Sequence, residues 1–132
     1  MGFDLYGQAP KSKRGEYFRN NVWWWRHLWT LVTLACHSFM FTNDTQGGCT
    51  NSGYLIGKRK ASKIATKLEG ILKSNKRGLM LENIGLVNKP EVNLKKYGTK
   101  EPVWEMDEHL FSWGNVREFI KFCKESGGFK IC

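Results

Sequence analysis

A chain of 132 residues with 41% hydrophobic and 14% aromatic side chains has enough apolar material for a core of its own, which excludes a disordered chain and suits one domain over residues 1–132. Its 21 basic and 12 acidic residues give a net charge of +9 and point to an anionic partner: a nucleotide, a nucleic acid, an acidic protein surface or an anionic membrane. The four cysteines contain no CxxC pair and the three histidines lack zinc-finger spacing, so neither a metal nor another cofactor is expected.

Phe3 and Leu5 alternate with Asp4 and Tyr6, which predicts a strand over residues 2–6. Met1-Gly2-Phe3-Asp4 lacks the basic start and apolar stretch of a signal peptide, so a cytoplasmic location with free thiols is expected. Tyr6 stands where a myristoylation motif wants Ser or Thr. Residues 7–15, with Pro10, Lys11, Lys13 and Arg14, read as an exposed loop.

A long helix is predicted to start between Tyr17 and Asn21 and to end near Phe41, because Val22, Trp25, Leu28, Trp29, Val32, Cys36, Phe39 and Met40 follow helical spacing. Trp24, Leu31, Leu34 and Ala35 widen its apolar face, so the helix is either central to the fold or shared between copies, and a homo-oligomer is expected. Residues 22–41 have the length of a membrane span, but Arg26, His27 and His37 interrupt them, and the reading is a buried core helix with no membrane span. Asn43 to Gly48 supply turn chemistry after it.

A second helix is predicted over 58–74, with Ala61, Ile64, Ala65, Leu68, Ile71 and Leu72 as its apolar stripe and Asn75 to Gly78 as its end. Leu79 to Leu81 suggest a short strand or the start of a turn. Residues 87–105, rich in lysine and holding Pro90 and Pro102, read as mobile loops with one short extended piece at most. Ser112 is placed to cap a third helix whose stripe is Val116, Phe119, Ile120 and Cys123. Gly127 and Gly128 end that helix, and Phe129 to Cys132 form a terminal strand. The fold class is therefore α+β, with about three helices packed against a small sheet made by the N- and C-terminal strands.

Four of the six tryptophans fall within residues 23–29, threaded with Arg26 and His27 and preceded by Arg19, Asn20 and Asn21. Rings stack on flat ligands and guanidinium groups neutralise phosphate. On this reading Arg19 and Arg26 hold phosphate, while Tyr17 or Trp24 stacks a base. Asn20 and Asn21 read base or sugar edges, and Asn51, Lys58 and Arg59 at the approach to the second helix complete the site. The competing reading makes the tryptophans core and lets the arginines snorkel to water; Trp25 and Trp29, four apart, are core on either.

Gly53 and Gly57 are one residue too close for a P-loop, and Arg59 replaces its Ser or Thr, so nucleoside triphosphate hydrolysis is not supported. His27 and His37 read as packed or surface residues, and no Ser-His-Asp or HExxH pattern appears. The expectation is non-catalytic binding of a phosphate-bearing nucleotide-type ligand.

Residues 1–7, Pro10 and Gly15 to Arg26, together with Asn51 to Gly53, Asn115 to Phe119 and Ser126 to Phe129, resemble a family of small uncharacterised bacterial and phage proteins. His27 stands where that pattern has proline. The resemblance covers about half of the chain and implies a bacterial or phage setting. In that setting a basic, aromatic-lined site suits a sponge that sequesters a host immune nucleotide signal. An inhibitor of a host defence complex, acting through nucleic-acid-like or protein–protein binding, and a small nucleotide-processing enzyme are the alternatives.

Overall fold

The alternation at the N-terminus forms strand β1 (Gly2–Gly7), which pairs antiparallel with β2 (Tyr17–Asn21) on one side and with β6 (Phe129–Ile131) on the other. Strand β3 (Tyr54–Ile56) pairs antiparallel with β6 and completes a sheet of order β2-β1-β6-β3. The structure is a computed structural model that describes residues 2–132. Both chain ends thus lie at the centre of one small sheet, as the α+β reading expects.

Period-two geometry sorts the side chains. Phe3, Leu5, Phe18, Ile56, Phe129 and Ile131 point to an inner face, where all but the half-buried Phe18 are buried. Helices α1 (Val22–Ala35) and α6 (Trp113–Ser126) pack on this face: Trp25 stacks on Phe3 at 5.3 Å, and Phe119 meets Phe18 and Phe129 edge-on at 5.5 and 6.0 Å. Helix α3 (Lys58–Lys73) lies against α6 and α1 with Ala61, Ile64, Ala65, Leu68 and Ile71 inward. These side chains belong to one hydrophobic cluster. Cys36 and Cys123 are buried in it; burial pushes the Cys36 thiol up to about 12 and raises Cys123 as well.

The helix expected from residues 17–21 onward begins only at Val22. Residues 17–21 are strand, because β1 offers them a complete ladder, and the Asn21 side chain accepts from Trp24 N at 3.2 Å to cap α1. The helix also ends at Ala35, short of Phe41. Cys36 and Met40 remain buried beyond its end, so the apolar spacing there reported burial rather than helix. Residues 43–48, expected as a turn, lie for the most part in a short helix α2 (Thr42–Gly47), whose Asp44 carboxylate accepts from Phe41 N at 2.8 Å. Helix α3 stops at Lys73 close to where it was expected to, but residues 79–81, expected as a short strand or the start of a turn, belong to helix α4 (Arg77–Asn83), anchored by buried Leu81.

Residues 87–105, where loops with one short extended piece were expected, hold helix α5 (Leu94–Tyr97) and most of β4 (Trp104–Met106), which forms a hairpin with β5 (His109–Phe111). The hairpin packs on α1, with His109 beside Trp23 at 5.5 Å and edge-on to His27 at 5.9 Å. Its two-residue turn holds Asp107 at φ 53° and Glu108 at φ 66°. Two left-handed residues define the turn type that matches strand twist and prefers glycine at its second position. Glu108→Gly is therefore expected to stabilise the protein by about 1 kcal/mol, seen as a higher thermal midpoint.

Candidate functional site

The sequence places an aromatic and basic run across the β2–α1 junction, and the junction divides it. Trp25 and Trp29 are 2% and 3% exposed; their indole N–H groups donate to Gly48 O at 2.7 Å and Thr45 O at 3.0 Å. They are core. Arg19 lies on the outer face of the sheet, whereas Arg26 is exposed on α1, which packs on the opposite face. The two guanidinium groups therefore do not form one phosphate clamp, which corrects the composite site expected from residues 17–26.

The nine predicted residues fall into separate groups. Tyr17 and Arg19 share the outer sheet face. The Asn51 amide donates to Gly2 O at 3.2 Å, and the Arg19 guanidinium also lies close to Gly2, where a Cβ would sit 2.6 Å from Nη2; Tyr17 is at the other end of the β1–β2 ladder. Asn20 points inward and is buried, exchanging amide hydrogen bonds of 3.0 and 2.9 Å with Asn115. Asn20 and half-buried Trp24 line a polar hollow of about 560 Å³ with Asn115, Tyr97, Arg117 and Glu101, in which Arg117 donates to Glu101. Asn21 is occupied as the α1 cap. Lys58 and Arg59 are exposed in the first turn of α3, beyond the end of β3.

Register explains what gathers on the outer face. One rung crosses all four strands as Tyr17, Tyr6, Lys130 and Leu55, and the neighbouring rung carries Arg19 and Asp4. Tyr6 and Tyr17 remain 47% and 46% exposed, with ring centroids 5.3 Å apart and planes tilted by 44°. The Tyr17 hydroxyl donates to the Asp4 carboxylate, which also accepts from Arg19 Nη1 at 2.6 Å. Those two bonds, Tyr17 first and Arg19 second, hold the Asp4 carboxyl below its ordinary range, and the Asp4 carboxylate in turn raises the Tyr17 phenol. Arg19 and Tyr17 are thereby fixed in orientation while their outer surfaces stay open.

Tyr6, Leu55 and Lys130 escaped the sequence reading. The signal for Lys130 was available: Phe129 and Ile131 are apolar, so the residue between them faces outward. What could not be read locally is that this strand lies beside Tyr6.

A second basic region lies between the end of α1, α3 and α4. It is a groove of about 740 Å³ with Lys63, Lys67 and Lys76 along it and no Asp or Glu among its lining residues. Among the described residues no group of three or more His, Cys, Asp or Glu is placed to hold a metal ion, and no helix is long and apolar enough to cross a membrane. No protein-family model, curated protein or solved structure matches the chain.

Proposed function

We propose that the protein is a non-catalytic binder of a phosphate-bearing, nucleotide-type ligand, held on the outer face of the four-stranded sheet. The observation that carries this reading is the rung of Tyr17, Tyr6 and Lys130 beside Arg19. Exposed tyrosyl faces suit a base, and stacking of this kind is worth roughly 1–3 kcal/mol per base. Lys130 and Arg19 supply positive charge on the same face, Arg19 being paired there with the Asp4 carboxylate. Asn51 offers an amide at the Gly2 end. A bacterial or phage setting, with the ligand a host immune nucleotide sequestered intact, is the biological form of the same proposal.

The width of the face favours a second reading, short single-stranded nucleic acid. Four strands about 4.8 Å apart span roughly 14 Å, enough for successive bases rather than one.

Calorimetric titration with linear and cyclic mononucleotides and with short single-stranded oligonucleotides tests both. Saturable binding is expected, weakened by about tenfold or more in Arg19→Ala and in Lys130→Ala, equivalent to about 1.4 kcal/mol each. Oligonucleotide affinity should fall with salt with a logarithmic slope of about −0.7 for each phosphate contacted. Heat with none of these ligands, or binding unchanged in both variants, removes the proposal.

A further inference from the structure

The groove between α1, α3 and α4 lies apart from the sheet face, and the nucleotide reading makes no use of it. Buried Ala35 and Ile71 and exposed Leu34 and Leu79 line it, together with half-buried Phe39 and Met80. Along α3 the groove runs from Ser62 to Ser74, a length of about 18 Å at the helical rise. Ser62, Thr66, Gly70 and Ser74, at four-residue spacing, leave that side of α3 low. At Gly70 a Cβ would meet nothing within 4 Å.

The cations decide what fits. Lys63 and Lys67 lie one turn apart on α3, Lys63 Nζ sits 5.6 Å above the Phe39 ring, and Lys76 stands where the chain turns into α4. They are spread along the groove rather than gathered at one end. An acyl anion carries its charge at one end, and a nucleotide carries its charge beside a flat base; neither matches charges distributed along an apolar trough. A helix with one apolar stripe and acidic residues beside it does match, because its side chains recur every turn along the same length.

We propose that this groove docks an acidic amphipathic helix of a partner protein, with its apolar stripe on Leu34, Leu79 and Met80 and its carboxylates against Lys63, Lys67 and Lys76. The partner chemistry follows from charge complementarity: three lysines line the groove and no acidic side chain does.

The test is fluorescence anisotropy on the full chain with a labelled, end-capped peptide of about 14 residues, just over the length of the groove, carrying leucine on one stripe and glutamate beside it. Saturable binding is expected. Gly70→Leu fills the groove at a position with open space, and leucine is the better helix former, so the variant should stay folded by circular dichroism yet bind about tenfold or more weakly. Lys63→Glu combined with Lys67→Glu should weaken binding at least as much, whereas Arg19→Ala should leave it unchanged. No binding of the acidic peptide overturns the proposal. So does binding insensitive to Gly70→Leu, equal binding of a lysine-for-glutamate peptide, or tighter binding at the groove by dodecanoate or a single-stranded oligonucleotide.

Discussion

Gly7→Ala is expected to destabilise the protein by about 3 kcal/mol or more, at the top of the usual range for overpacking. A Cβ on Gly7 would lie 1.9 Å from Gly15 O, 3.0 Å from Gly15 C and 3.1 Å from Ser126 O, all backbone atoms. No rotamer change relieves that contact. The surrounding chain is also tied down: Gly7 N donates to Glu16 O at 3.0 Å, Gln8 N to Gly128 O at 2.8 Å, Ala9 N to Ser126 O at 3.0 Å and Lys11 N to Glu125 O at 2.8 Å. Gly15 itself presses on Glu125 O, where a Cβ would come within 2.0 Å. Making room for one methyl group therefore means opening a ladder that joins the start of the chain to its end. Urea denaturation should show a large fall in midpoint at an unchanged slope. Gly70→Ala is the control: it removes glycine from an exposed helix with open space around it and should gain about 0.5–1 kcal/mol. A Gly7→Ala midpoint close to that of the parent protein would mean that the two chain ends are not packed as described.

That junction also explains what the resemblance segments do physically. Gly7 and Gly15 belong to the opening segments, and Ser126, Gly127 and Gly128 to the closing one; in the fold they lie backbone to backbone. Asn20 and Asn115, from the same two regions, exchange their amide hydrogen bonds. These residues build the join between chain ends, which is a sufficient reason for their types whatever the protein binds.

Legibility followed how locally each element is determined. Helix α6 was readable because Ser112, its stripe and Gly127 lie within one segment; Ser112 Oγ accepts from Asn115 N at 3.1 Å, and Gly127 takes φ 68°. Helix α3 was readable from its stripe and the stop signal that follows it. Strand β2 was not, because Tyr17-Phe18-Arg19-Asn20-Asn21 places an amide inward, and that amide is satisfied by a residue 95 positions away. The β4–β5 hairpin was missed because its turn is Asp107-Glu108, without the glycine that marks such turns. At the candidate site, Tyr17 and Arg19 do share one face, but with other companions than the sequence reading gave them. Clustering along the sequence grouped Arg19 with Arg26, whereas strand register ties it to Asp4 and sets it one rung from Tyr6 and Lys130.

Asp44→Ala is the second large effect expected, a loss of about 3 kcal/mol, because Asp44 is 4% exposed and three donors converge on it. Its carboxylate accepts from Lys60 Nζ at 2.6 Å, Tyr54 Oη at 2.7 Å and Phe41 N at 2.8 Å, tying α2 to β3 and α3. Truncation takes the acceptor away from all three donors. Lys60, whose side chain is 25% exposed, can turn to water, which keeps the cost at the low end of the range of about 3–5 kcal/mol for breaking a buried pair. The pH dependence gives a separate signature. Burial is the largest single influence on Asp44 and opposes its ionisation, but Lys60, the Phe41 N–H and Tyr54 together outweigh it and hold the carboxyl below its ordinary value. A carboxyl lowered on folding stabilises fully above its unfolded value, about 3.9, and loses that contribution as pH falls through the folded value. Tyr54 behaves in the opposite sense: its bond to Asp44 pushes the phenol up to about 12, so its stabilisation is present below its unfolded value and fades as pH rises toward about 12. Stability measured by urea titration from acid to alkaline pH should fall at both ends in the parent protein, and both limbs should be shallower in Asp44→Ala but still present, because the other lowered carboxyls and the raised Tyr17, Cys36 and Cys123 are unchanged in it. Asp4 is lowered too, but it is unchanged in the variant and contributes equally to both curves. Parallel curves for the two proteins would show that the Asp44 cluster does not hold these elements together.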